Sequence, residues 1–365
     1  MVQVLHYTDF VAEREGFEPS IRFCRILTFQ ASAFDHSATA PHALEASPAS
    51  RSGPLPQPVK TWQSWAMIAL RFPRLVGIAA LPLLLAAAPE KPEAVTPASV
   101  LADAPASAWR ALPPGELIVM DLRGGARVVI LLATGFAPAH VANIKTMARA
   151  GYYDGLWIER VQDGYVVQWG DPDAKKPQPA GVRQHLPAEY DFPAAGVPMK
   201  PLPYRDAYAA KVGWSRGWPV ASDGRRTWLT HCYGMVGVGR NLAPDTGDGA
   251  ELYAIIGQPA RALDRNITVV GRVLSGMEHI TALPRGTGDL GFYKTLEERL
   301  PIARVALASD LPPAERPRLA MLDTGSPAFG QWLQVKANRK DDFYVRPAGA
   351  VDLCNALPPV KELPR

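Results

Sequence analysis

Cysteine is scarce in this 365-residue chain: only Cys24, Cys232 and Cys354 occur. Their spacing matches no zinc motif, and the adjacent His231-Cys232 lacks further ligands at loop spacing, so no metal site is expected. Charge is also spare. Charged residues make up 20% of the chain, the net charge is +4, and no run of Lys or Arg concentrates it, so nucleic acid is not an implied partner. No internal repeat is evident. What is plentiful is proline (36) and glycine (30), which favours a loop-rich β protein over a helical bundle. With 47% hydrophobic residues the composition is ordinary for a globular protein, and the length allows one large domain or two small ones.

One short apolar stretch, Leu75-Val76-Gly77-Ile78-Ala79-Ala80-Leu81-Pro82-Leu83-Leu84-Leu85, follows Met67, Arg71 and Arg74 and ends in Ala86-Ala87-Ala88. It falls short of the ~20 residues that span a bilayer. A positive start, a short apolar core and a small-residue exit describe a secretory signal peptide over residues 67–88. A buried helix is the alternative, but the charge order and the Pro-rich sequence after Ala88 count against it. A periplasmic or secreted protein is therefore expected, with no membrane contact after signal removal. A signal peptide should begin a chain. Residues 1–66 show no sustained period, and residues 12–20 resemble the peptide obtained when a transfer-RNA gene is translated. They are expected to be a start-site artefact, with a disordered arm as the rival reading. Residues 89–114, rich in Pro and Ala, read as a linker. Cys232 and Cys354 are the cysteines left after such processing. An oxidising compartment permits a bridge between them, but sequence alone leaves open whether their Cα atoms approach closely enough.

Further along, residues 116–122 and 127–133 are β-branched runs flanking Arg123-Gly124-Gly125-Ala126, which predicts a hairpin. Pro138 opens a helical pattern with Val141, Ile144 and Met147 in step, and Gly151 stops it. Short strands are expected at 252–256, 268–274 and 301–307, with a second helix opening at Gly276. Two helices among many short strands fit a closed antiparallel barrel better than a parallel sheet.

The most informative segment runs from Gly151 to Pro172. It reads as turn, strand, tight turn and strand, and it sets Arg160 just before Gly164-Tyr165-Val166-Val167-Gln168-Trp169-Gly170-Asp171. This resembles the central motif of the cyclophilin-type peptidyl-prolyl isomerases, an arginine followed by Gly-Phe-x-x-Gln-x-Gly-Asp. Further anchors resemble the family in order. They are Ala137-Pro138 to Asn143, Leu186-Pro187-Ala188-Glu189-Tyr190, Gly234 to Gly239, Gly249-Ala250-Glu251-Leu252-Tyr253, the segment from Leu263-Asp264 to Val273, and Gly276-Met277. The resemblance covers about 116–307. It implies a mainly β fold, a closed antiparallel cyclophilin-like barrel with two capping helices, spanning 115–310. Residues 172–233 would be a long aromatic-rich insertion and 311–365 a C-terminal extension packed on the domain.

By resemblance Arg160 is the catalytic donor and Gln168 orients it or the peptide. Tyr165, Val166, Tyr253 and Leu263 would line a cup for the proline ring, with Glu251 and Ile267 beside it. The backbone around Gly239 and Arg240 would pair with an extended, proline-containing polypeptide. The family needs no cofactor, and a monomer is expected. The chain departs from the family at several of these positions. The usual Phe is Tyr165, the usual Met is Val166, and the usual Gln is Glu251. Ile267 stands where a pocket His is often found, Ala262 where some members have Trp, and Val270 where Phe is common. Two readings result. The retained Arg160 and Gln168 favour an isomerase that helps exported proteins fold. Glu251 and Ile267 favour a catalytically weak chaperone or binding module. The insertion holds Trp214, Trp218, Trp228, Tyr204 and Tyr208, too aromatic for disorder. Its aromatics are expected to pack on the barrel, with part of the loop either walling the groove or facing away from it.

Overall fold

The computed structural model describes residues 94–364 apart from 173–174, 259 and 342. The leading segment, the signal-like stretch and the first residues of the expected linker lie outside the described residues. From residue 94 onward that expectation is corrected. Residues 94–114 carry helix α1 (Pro97–Asp103) and strand β1 (Trp109–Ala111). The proline that reads as a linker residue stands in the first helical turn, where its missing N–H costs nothing. Thr96 and Ser99 close a reciprocal capping box in front of it.

The predicted hairpin forms as β2 (Leu117–Leu122) and β3 (Arg127–Leu132). Its nearly continuous apolar sequence has a physical cause, because both faces are covered. Ile118, Met120 and Leu122 point into one cluster, whereas Leu117 and Val119 point into another. Helix α2 (Pro138–Arg149) follows, then β4 (Trp157–Gln162) and β5 (Val166–Gly170). The insertion supplies β6 (Phe192–Pro193), β7 (Lys200–Pro201), β8 (Lys211–Ser215), β9 (Trp218–Ser222) and β10 (Arg226–Leu229). The second β block holds β11 (Met235–Val238), β12 (Glu251–Ile255) and β13 (Val269–Ser275), then helix α3 (Met277–Thr281) and β14 (Leu300–Leu307). The C-terminal extension adds β15 (Leu319–Leu322), helix α4 (Pro327–Ala337) and β16 (Val360–Glu362).

Eight strands close an antiparallel barrel in the order β11-β12-β5-β4-β14-β2-β3-β13. Its interior is one apolar cluster that includes Met120, Ile158, Val167, Trp169 and Leu252. Helices α2 and α3 add Val141, Ile144, Met147 and Ile280 to the same cluster. Helix α2 has no side-chain cap of its own. Glu189 substitutes from the insertion, accepting from the Ala139 and His140 amides at 2.9 and 3.1 Å. These amides would otherwise be orphaned, and a carboxylate there also meets the positive end of the helix dipole.

The insertion forms a second sheet, ordered β6-β10-β9-β8-β7. Trp218, Val220 and Leu229 pack on the outer faces of β2 and β3. Trp214 and Trp228 pack with Leu322, Phe329 and Trp332 of the extension. Strands β1, β15 and β16 make a third sheet, in which the strands nearest the two ends of the described chain flank β15. A Cys232–Cys354 disulfide ties the extension to the start of the second β block, with Cα atoms 5.0 Å apart. The insertion's tryptophans therefore build core and do not line the groove described below.

Candidate active site

A strand alternates its side chains, so cross-strand partners share a face. On β5, Val167 and Trp169 belong to the barrel interior, which leaves Gln168 outside. Gln168 lies opposite Arg160 on β4 and opposite Tyr253 on β12, and Tyr253 lies opposite Gly237 on β11. Four successive strands thus place Arg160, Gln168, Tyr253 and Gly237 in one row on the outer surface. Simple alternation would have failed at Arg160. Ile158 faces the interior, and a residue two positions on should do the same. A bulge between Ile158 and Arg160 inserts Glu159 and turns the guanidinium outward.

Arg160 is 3% exposed and Gln168 1%. Arg160 donates to Gln168 Oε1 at 2.9 Å and, through Nε, to the Leu290 carbonyl at 2.8 Å. It also donates to Gln162, its neighbour on the same strand face. Phe292 pairs with it as an isolated bridge and puts its ring 5.0 Å from the guanidinium carbon. Gln168 in turn donates to the Glu251 carboxylate. Glu251, Gln168, Arg160 and Gln162 therefore form one polar chain across three strands.

Close packing explains the neighbouring glycines. A Cβ on Gly237 would stand 2.3 Å from the Tyr253 hydroxyl, and one on Gly239 would stand 2.6 Å from a Glu251 oxygen. A side chain at either position would force the facing Tyr253 or Glu251 side chain to shift.

Beside the row, Val166, Tyr253, Ile255, Leu263 and Ile267 form a small apolar cluster, with Tyr165 and Ala260 packed on it. It is separate from the barrel interior. It gathers the four residues expected to line the cup and Ile267 expected beside it, and Ile255 joins them. Gly239, Arg240 and Glu251 line an adjoining pocket of about 350 Å³ together with Gln184, His185 and Asp248. Gln184 and His185 come from the insertion, so part of it does wall the groove region.

A buried polar network backs the cup. Asp264 accepts from the His231 amide at 2.9 Å and lies 3.1 Å from His231 Nδ1, while His231 Nε2 is 3.1 Å from the Tyr253 hydroxyl. Arg261 bridges Asp264 at 2.5 Å and Asp206 at 2.9 Å. Burial alone would raise the Asp264 pKa, but the His231 and Arg261 contacts outweigh it and hold the carboxyl below its usual range.

Sequence reasoning missed Gln162, Leu290, Phe292 and the His231–Asp264 pair as site neighbours. Gln162 was findable, since it stands two positions from Arg160 on one strand. The loop carrying Leu290 and Phe292 has no comparable signal. Among the described residues, no group of three or more His, Cys, Asp or Glu side chains could hold a metal ion. Among them, too, no helix is long and apolar enough to cross a membrane.

Comparison with known proteins agrees with this geometry. The family model of the cyclophilin type peptidyl-prolyl cis-trans isomerases matches residues 117–306, more than half of the chain. A probable peptidyl-prolyl cis-trans isomerase of Brucella suis is 25% identical over 177 residues, covering 48% of this chain and 76% of its own. Over 46 residues, 13% of this chain and 30% of the relative, identity to peptidyl-prolyl cis-trans isomerase ppi1 of Schizosaccharomyces pombe reaches 44%. In fold, the chain is similar to the cyclophilin AquaCyp293 from Hirschia baltica, with a TM-score of 0.55 and 24% identity, covering 73% of this chain and 97% of that one. The motif row, the barrel and the family match coincide on the same residues, and the chain belongs to the cyclophilin-type peptidyl-prolyl cis-trans isomerase family.

Proposed function

We propose that this isomerase turns X-Pro bonds of exported polypeptides by arginine-assisted rotation. The carrying observation is the row of Arg160, Gln168 and Tyr253 beside a separate apolar cluster on the barrel surface. The barrier to rotation, ~18–20 kcal/mol, comes from amide resonance. As the bond twists, resonance is lost and the imide nitrogen becomes a pyramidal acceptor. A fixed cationic donor stabilises that state more than the planar one, which is what catalysis requires. Arg160 suits the role because a guanidinium stays charged and presents its N–H groups in a rigid fork. Gln168 holds the fork at 2.9 Å and is itself anchored by Glu251. The cup takes the proline ring, and the backbone at Gly239 and Arg240 meets the extended flanking chain.

Export is supported by the tripartite pattern over 67–88 and by the Cys232–Cys354 bridge, since stable disulfides belong mainly to oxidising compartments. Mass spectrometry of the native protein tests it. A mature N-terminus close to Pro89 is expected, and recovery of peptides from residues 16–60 would refute it.

A second reading, a binding module with weak turnover, is favoured by one feature. Arg160 is only 3% exposed, beneath Leu290 and Phe292. The deciding experiment is a proline-isomerisation assay on short peptides. A folded Arg160→Ala protein should lose about 10²–10³ in rate. Unchanged turnover in that variant would sink the arginine mechanism, and absent turnover in the parent would favour the binding module.

A further inference from the structure

We infer that His231, a residue of the insertion, is a positioning residue for the proline cup, acting through the Tyr253 hydroxyl. The inference rests on the isomerase reading above and extends it to a group outside the family motif.

The chemistry of the chain of contacts is determined by its ends. The Asp264 side chain is 8% exposed, and Arg261 holds its carboxylate at 2.5 Å. A carboxylate kept ionised only accepts hydrogen bonds, so His231 Nδ1, 3.1 Å away, carries the proton. In the neutral ring the other nitrogen is then an acceptor. Nε2 stands 3.1 Å from the Tyr253 oxygen, so the tyrosine O–H donates to it. The His231 and Tyr253 rings lie nearly parallel, at 12°. On its other flank the same hydroxyl occupies the space that Gly237 leaves open. Tyr253 is thus held from two sides at its tip and cannot turn without breaking a buried bond.

The consequence lies in what the two ends carry. Tyr253 is on β12 and forms one wall of the cup. Asp264 directly follows Leu263, which forms another. No backbone ladder joins these segments. The Asp264–His231–Tyr253 chain joins them, and the insertion braces the same segment from behind. Asp206 meets Arg261 at 2.9 Å, Trp228 Nε1 donates to Asp264 at 3.3 Å, and Tyr208 lies over the Arg261 guanidinium at 5.0 Å. His231 therefore sets the distance between two cup walls without touching Arg160. Its loss should weaken binding of the proline ring and leave the rotation step nearly intact.

The test uses two amides that imitate different halves of imidazole. In His231→Asn the amide stands near Nδ1 and keeps the Asp264 contact while losing Tyr253. In His231→Gln it reaches the Nε2 position and can accept from Tyr253. Kinetics on a proline-containing tetrapeptide should show KM raised about three- to tenfold by His231→Asn, with kcat within about twofold, the size of effect expected for one buried hydrogen bond. His231→Gln should recover most of that KM. Tyr253→Phe should raise KM as His231→Asn does, and combining the two should add little. Equal rescue by Asn and Gln, or multiplying effects in the double variant, would overturn the inference and leave the isomerase reading standing. If His231→Asn does not fold, Tyr253→Phe decides, and an unchanged KM there overturns it. A wild-type protein inactive on every peptide would overturn both.

Discussion

His140 and Glu189 stand 49 residues apart in sequence, yet the Glu189 carboxylate lies 2.6 Å from His140 Nδ1. The same carboxylate caps the two leading amides of α2. One side chain of the insertion thereby serves the helix that fills the barrel.

Glu189→Ala should destabilise the fold by about 1–3 kcal/mol, because a buried histidine and two amides lose their acceptor. The pH dependence has a defined sign. Burial would raise the Glu189 pKa, but the bonds from His140 and the helix amides prevail and lower it. A carboxyl depressed in the folded state stabilises above its unfolded pKa, ~4.3, and that contribution fades as pH falls through the folded value. Denaturant unfolding between pH 7 and pH 3 should therefore show a loss in the parent below about pH 5 that is smaller in Glu189→Gln.

Gln168→Ala should cut kcat about ten- to a hundredfold and also lower stability by about 1.5–3 kcal/mol. It removes a partner from Arg160 and another from Glu251 at once, and bonds to charged groups contribute about 1.5–3 kcal/mol. Kinetics in the folded variant check this. A kcat equal to that of the parent would show that the guanidinium needs no such anchor.

Gly239→Ala should destabilise by about 1–3 kcal/mol, since the new methyl would meet the Glu251 carboxylate. Glu251→Ala removes the obstacle, so in a Glu251→Ala background the added Gly239→Ala change should cost little. An equal cost of Gly239→Ala in both backgrounds would locate the strain elsewhere.

Cys354→Ser should lower stability by about 2–4 kcal/mol. The bridge closes a loop with a sequence separation of 122, and Cys232 is fully buried. In a chain lacking residues 1–88, denaturing thiol counts should be zero before reduction and two after it.

Much of this was legible in the residues. The 117–122 and 127–132 hairpin, the helix from Pro138 and the strands about Gly164 follow from β-branched runs, turn glycines and a proline in a first helical turn. Arg160, Gln168 and Tyr253 were readable as a group only through the motif, because nothing in their own spacing says that three strands bring them into line. The segment 97–103 was missed because its alanine and proline content is shared by linkers and short capped helices. Phe292 and Leu290 were missed because a loop that covers a side chain is selected by backbone course, which leaves no periodic trace. The bridge between Cys232 and Cys354 needed a distance that only the fold supplies.

The extra residue at Glu159 has a consequence for how this strand tolerates change. Substitutions along 157–162 alter chemistry one side chain at a time. Deleting Glu159 would set Arg160 directly after Ile158 and restore strict alternation with the guanidinium still outward. Straightening the strand with all six residues kept would instead turn Arg160 into the apolar interior, where a guanidinium cannot shed its proton to fit. What the strand must keep is thus the parity of the pairing between Ile158 and Arg160, and the bulge and its extra residue can only be lost together.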